Sequence, residues 1–331
     1  MQRKEFPALD PSISSQQGVS RNGQPLSYNR APAADLAPWI ARLYVTKVAM
    51  PADHTISCGL FNDTGCIRIQ LAGAWTAETA TGPEAFGKAA LYFGPQTRRM
   101  PVTVTGSFIS LGMAVRPGAS TALKGPQVED YLDRLVPTAG VAPFAHVLSY
   151  LDPNGEPEDW LHAIEDLFRE RVELMHGALP DPISQRFEEI TFRDPGMPIS
   201  QAAAECGVER RKLERIVRRD FGLPPKQVLR RARALDMASH LRGVADTNEA
   251  DEMALRYYDE SHLIHEFIEF FGMSPRQFVK TPQPILTLTL ESRQARRLEA
   301  LHRITPGAIR PWCEGSEGEK RSKRAGLTYA Q

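Results

Sequence analysis

The stretch Pro198-Ile199-Ser200-Gln201-Ala202-Ala203-Ala204-Glu205-Cys206-Gly207-Val208 runs directly into Glu209-Arg210-Arg211-Lys212-Leu213-Glu214-Arg215-Ile216-Val217-Arg218-Arg219-Asp220-Phe221-Gly222. Small Ala203 stands four residues before Gly207, a spacing that lets two helices cross closely while the glycine takes a turn conformation that a side chain resists. In the second part Val208, Leu213, Ile216, Val217 and Phe221 fall on one helical stripe. Arg211, Glu214, Arg215 and Arg218 are left facing outward. The pattern predicts a short helix, a tight turn and an exposed helix, with Gly222 at the turn that follows.

An arginine-rich outer face can neutralise phosphates with some side chains and offer others for bidentate contacts to guanine edges in a major groove. The bland alternative is a solvated charged face. Placement favours the groove, because the arginines crowd the helix that follows an Ala-x-x-x-Gly turn. A module that binds only other helices would carry apolar residues on that face, where this chain has arginines.

A second unit reads Tyr257-Tyr258-Asp259-Glu260-Ser261-His262-Leu263-Ile264-His265-Glu266-Phe267-Ile268-Glu269-Phe270-Phe271-Gly272-Met273-Ser274-Pro275-Arg276-Gln277-Phe278. It resembles the second unit of the DNA-binding domain of AraC-type transcription regulators, at Tyr257, Asp259, Ser261, His262, Leu263, Phe267, Gly272, Ser274, Pro275 and Phe278. Gly222-Leu223-Pro224-Pro225, Arg233, Ala238 and Leu241 are similar to that family's glycine-proline turn and the long helix joining its two units.

The resemblance implies a sequence-specific regulator that binds promoter DNA and no catalytic centre. Base-edge contacts would come from Arg211, Glu214 and Arg215 in the first unit and from Ser261, His262 and His265 in the second. Arg210, Arg218 and Arg219 would hold phosphates, and Ala203, Gly207, Gly222, Gly272 and Pro275 would shape the turns. RNA polymerase, a small effector and a second copy of the chain are the other expected partners.

Two departures mark the second unit. Arg256 stands where the family places a turn glycine, and Glu252 where it places a small residue. Charge differs too. From Glu209 to Arg233 there are ten basic residues (Arg210, Arg211, Lys212, Arg215, Arg218, Arg219, Lys226, Arg230, Arg231, Arg233) against three acidic ones (Glu209, Glu214, Asp220). From Asp246 to Lys280 there are three basic (Arg256, Arg276, Lys280) against eight acidic (Asp246, Glu249, Asp251, Glu252, Asp259, Glu260, Glu266, Glu269). Duplex DNA is a dense polyanion, so the first unit should supply most of the electrostatic affinity. Helical spacing of Val228, Leu229, Ala232, Leu235, Ala238 and Leu241 predicts a continuous helix between the readers. Such a spacer would set them into successive major grooves about 34 to 36 Å apart.

The whole chain of 331 residues carries 40 basic and 40 acidic residues, a neutrality that conceals these opposed blocks. The expected class is α+β: an antiparallel β-rich barrel-like or sandwich-like domain, a helical linker, and an all-α double helix-turn-helix domain. The expected divisions are a mobile leader over 1–34, a β-rich sensing or dimerising domain over 35–120, a linker over 121–180, DNA-binding units near 198–222 and 248–278 within 181–282, and a largely disordered tail over 283–331. Short apolar runs such as Ile40–Val45, Thr55–Phe61, Cys66–Leu71, Ala89–Phe93 and Val102–Leu111 predict the strands, with Asn62-Asp63-Thr64-Gly65 as a hairpin turn. Trp160, Ile164, Leu167, Phe168, Val172 and Met175 form a helical stripe that fits either packing on the barrel or a dimer interface.

Trp39, Tyr44, Phe61, Trp75 and Phe93 could line an effector pocket, with core packing as the competing role. Cys58, Cys66, Cys206 and Cys313 form no CxxC pair and read as free thiols. One alternative is an alkylation-repair protein, since some join an AraC-type half to a zinc-held cysteine. That site needs four thiolates, and the front region offers Cys58 and Cys66. Nothing calls for a cofactor or a metal, and no apolar run suits a bilayer or a signal peptide, so a cytoplasmic location is expected.

Overall fold

The computed structural model describes residues 6–140, 144–152, 154–246 and 260–313. Period-two alternation builds the front half as strands β1 (Ser14–Ser15), β2 (Tyr28–Arg30), β3 (Ile40–Ala49), β4 (Thr55–Leu60), β5 (Cys66–Thr79), β6 (Gly82–Phe86), β7 (Ala89–Phe93), β8 (Met100–Val115) and β9 (Leu135–Pro137). They form one sheet in the order β1-β3-β8-β5-β7-β9, with β2 on β3, β4 on β8 and β6 on β5. Its ladders are antiparallel.

β8 pairs with β4 through Met100–Thr105 and with β3 through Phe108–Val115. β5 likewise pairs with β7 at its start and with β6 at its end. Register shifts flank Ala72 between those halves, and Gly73 and Gly106 there have φ of +101° and +74°. Bulges bend strands, so the sheet folds over on itself. Tyr44 of β3, Ile56 of β4 and Phe93 of β7 thereby share one core, while Leu43, Val45, Ile67 and Ile69 on the opposite face enter another.

That outer face is covered by α2 (Pro157–Leu174), which follows the short α1 (Ala119–Ala122). Trp160, Leu161, Ile164, Leu167 and Phe168 of α2 are buried beneath the sheet. Packing therefore accounts for the apolar stripe.

The rest is helical: α3 (Pro182–Arg193), α4 (Ile199–Glu205), α5 (Arg210–Phe221), α6 (Pro225–Leu241), α7 (Glu260–Phe271), α8 (Pro275–Lys280) and α9 (Pro284–Ala300). Phe187, Ala203, Leu213, Val217 and Phe221 form a core that belongs to the first helical unit. α6, α7 and α9 instead share the core inside the folded sheet, through Leu235, Phe271, Leu286 and Leu290 among others.

Several boundaries differ from the sequence expectation. Residues 283–331 were expected as a tail, yet α9 packs on β4 and α6. Pro284, which looks like a helix breaker, occupies the first turn of α9, where a proline lacks nothing that the helix needs. Residues 314–331 lie outside the described ones. Within the described residues 6–34 the expected mobile leader is docked: Leu26 is buried, and the Ala8 amide donates to the Val279 carbonyl at 2.8 Å. The expected helical linker contains β9, paired on β7. Asn62–Gly65 is no hairpin turn, since β4 pairs with β8 and not with β5. Its polar side chains serve tertiary contacts instead.

Candidate nucleic-acid interface

The first unit is set by its glycines. Gly207 has φ of +66°, and an added Cβ there would meet nothing within 4 Å. Around it the Gly207 and Val208 amides donate to the Ala204 and Ala203 carbonyls, each at 3.0 Å, closing the end of α4. Gly222 ends α5 in the left-handed region with φ of +75°, and here a Cβ would lie 2.7 Å from Leu132 Cδ2. Gly222 thus serves both backbone and packing.

Between these turns α5 divides cleanly. Leu213, Ile216, Val217 and Phe221 are buried, with the Phe221 ring edge-on to Phe187 at 5.4 Å. Arg211, Lys212, Arg215 and Arg218 are exposed. Arg210 pairs with Glu214 one turn on at 2.8 Å, so these two partly neutralise each other. Arg218 Nε lies 4.0 Å from Glu129, which belongs to the short 3-10 helix Val128–Tyr131 between α1 and β9.

Arg219 behaves differently from its neighbours. It donates to Asp220 at 2.7 Å and to Asp181 at 3.2 Å, and its hydrogen bond to Asp220 is the main cause of its raised pKa. Buried Asp220 also accepts from Thr121 and Ser184, tying α5 to α1 and α3. Sequence reading missed this anchor. The signal was present, because an acid at 220 falls seven residues after Leu213 on the inward stripe.

In the second unit the first helix and Tyr257–Asp259 lie outside the described residues, as do the side chains of Ser261 and His262. His265 is exposed on α7, while Phe267, Phe270 and Phe271 turn inward. Phe61 of the sheet meets Phe270 and Phe271 at ring distances of 5.8 and 5.3 Å. Gly272, with φ of +70°, ends α7, and Pro275 starts α8 behind a capping box made by Ser274 and Gln277.

The contrast in charge between the units is partly internal. Arg230 of α6 donates to Glu266 at 2.7 Å and to Glu269 at 2.5 Å, and Arg233 donates to Glu266 at 2.9 Å. Arg231 is fully buried and donates to the carbonyls of Gln96 and Asp63, and burial pushes its pKa down to about 10. These three cations are engaged within the protein. The exposed positive face of the first unit is the outer side of α5.

Of the aromatic residues expected at an effector pocket, Tyr44, Phe61 and Trp75 line a cavity of about 60 Å³ inside the folded sheet, closed on one side by α9. Trp39 lies in the other core and donates from Nε1 to the Ala178 carbonyl at 2.8 Å. Phe93 is buried beside the cavity but does not line it. Cys58, Cys66, Cys206 and Cys313 are free thiols, and among the described residues no group of three or more His, Cys, Asp or Glu is placed to hold a metal. No helix of the described residues is long and apolar enough to cross a membrane.

Residues 193–281 match the family model of a helix-turn-helix domain. No curated protein matches the chain in sequence. Among solved structures, an apo variant of ToxT from Vibrio cholerae is 10% identical, covering 72% of this chain and 96% of that one with a TM-score of 0.43. Unsaturated fatty acid bound wild-type ToxT is 8% identical, covering 82% and 96% with a TM-score of 0.40. The AraC-like transcriptional activator CuxR is 14% identical, covering 58% and 76% with a TM-score of 0.27. Residues 193–281 of this chain thus belong to a helix-turn-helix domain, joined to an antiparallel β-rich front domain.

Proposed function

We propose that the chain regulates transcription by binding duplex DNA through the outer face of α5, under the control of a small effector held by the front domain. The observation that carries this reading is the separation on α5: apolar residues are buried without exception along Leu213, Ile216, Val217 and Phe221, while Arg211, Arg215 and Arg218 are exposed together. Arg211 and Arg215, which have no ion-pair partner among the described residues, are the base readers. Glu214, already engaged by Arg210, contributes orientation, and Arg210 and Arg218 hold phosphates. Arg219 reaches DNA only if it leaves Asp220.

His265 gives α7 a weaker hold, with Ser261 and His262 beside it on the same helix. RNA polymerase and a second copy of the chain are its proposed protein partners, and the cytoplasm its place of work. An effector acts here by binding one arrangement of the DNA readers better than another. The test is the salt dependence of binding of the full-length chain to labelled duplex DNA: log affinity should fall linearly with log salt. Binding that is indifferent to salt would remove the electrostatic basis of the proposal.

A further inference from the structure

The cavity inside the folded sheet contains a cation without a counter-ion. Arg68 of β5 is 6% exposed and lines this space. Its Nη2 donates one long hydrogen bond, 3.3 Å, to Asn62 Oδ1, and its Nε has no hydrogen-bond partner. The guanidinium lies 5.4 Å from the Tyr44 ring centre and 5.5 Å from that of Phe93. No carboxylate of the described residues is within 4 Å of it.

The other three arginines lining the cavity are all matched. Arg42 pairs with Glu299 at 2.6 Å, Arg293 with Asp63 and Asp236, and Arg296 with Asp63 at 3.1 Å. Tyr44 and Cys66 cannot supply the missing charge. Burial pushes both the phenol and the thiol up, outweighing the opposite pull of Arg68. A buried cation left in this state is costly, and a carboxylate brought by a ligand offsets that cost.

We propose that this cavity binds a small organic acid with an apolar body, its carboxylate paired with Arg68 and its body against Phe61, Trp75, Phe108 and Leu288. The proposal rests on the effector-controlled role assigned above and names the class of effector. Leu288 belongs to α9 and Phe61 packs on α7, so the occupied cavity touches both the sheet and the elements that carry the second DNA-binding unit. Occupancy therefore biases how the helical part docks on the sheet.

The test measures thermal unfolding of the full-length protein with benzoate, phenylacetate and hexanoate, each against its amide. At ten times its Kd, one of these acids should raise Tm by about 2 °C, and the amides should have no effect. Arg68→Met should abolish the response and leave the unliganded Tm unchanged or higher, because it removes an uncompensated buried charge. Should that variant fail to fold, Arg68→Lys, which keeps the charge, should fold and retain a weaker response. Equal effects of acids and amides, no effect of any acid, or a full response in Arg68→Met would overturn the proposal. DNA binding measured on the same protein separates the two levels: DNA binding without an acid response refutes the cavity assignment alone, whereas an acid response without DNA binding refutes the regulatory role.

Discussion

Asp63, in the connection between β4 and β5, accepts a hydrogen bond from Arg293 Nε at 2.8 Å across 230 residues of chain. The same carboxylate oxygen lies 3.1 Å from Arg296. One acid of the front domain is thus the counter-ion for two arginines of the helix beyond the DNA-binding region. Burial opposes the charge on Asp63, and the guanidiniums of Arg296, Arg293 and Arg231 outweigh it, holding its pKa well below the ordinary carboxylate range. Because the folded pKa is depressed, its contribution is complete above the unfolded value near pH 4 and is lost as pH falls toward the folded value.

Asp63→Asn should therefore destabilise the protein by about 3 kcal/mol at neutral pH, the lower end for a broken buried pair, since Arg293 keeps Asp236. In urea unfolding the gap between variant and parent should narrow as pH falls below about 4. A gap that is constant with pH would show that the loss is not electrostatic.

Leu286 and Leu290 of α9 are buried in the core shared with the sheet. Leu290→Ala should cost about 2 to 5 kcal/mol by denaturant unfolding. A fragment ending at residue 282 lacks α9 altogether and should unfold at a lower temperature than the full chain. Equal melting temperatures would mean that α9 does not support α6.

The two turn glycines of the first unit should respond differently to alanine. Gly207→Ala places a side chain in open space at positive φ and should cost about 1 kcal/mol. Gly222→Ala adds a collision with Leu132 to the same backbone strain and should cost about 2 kcal/mol or more. Equal costs would indicate that Leu132 moves away freely.

Much of this was legible because one residue property dominated each element. The stripe Leu213, Ile216, Val217 and Phe221 gave α5 its inner face, and the β-branched runs gave β3, β5 and β8. α9 was hidden by its own interior. Arg293, Gln294, Arg296 and Arg297 are buried there beside Leu290 and Leu298, so polar residues interrupt the apolar period that marks a helix in sequence. Asn62-Asp63-Thr64-Gly65 has hairpin composition, but pairing between distant strands decides whether neighbours in sequence pair in the sheet. The counter-charges of Arg230 and Arg68 also depend on partners, or a missing partner, that only the tertiary fold brings together.

On DNA, Arg218→Ala should weaken binding to all sequences and reduce the magnitude of the salt slope by about one unit. An unchanged slope would remove Arg218 from the phosphate contacts and leave Glu129 as its working partner.

Arg215→Ala should cost about 1 to 3 kcal/mol at one base position and relax preference there. His265→Ala should cost less, because α7 contributes little positive charge. Equal losses in the two variants, measured by titration with the same duplex, would contradict a strong first grip and a weak second one.

The most direct measurement is selection from a random duplex library by the full-length chain at physiological salt, in parallel with the Arg211→Ala/Arg215→Ala variant. Recognition by α5 predicts an enriched sequence block for the parent chain that is lost or blurred in the variant. The same block enriched equally by both proteins would contradict recognition by α5.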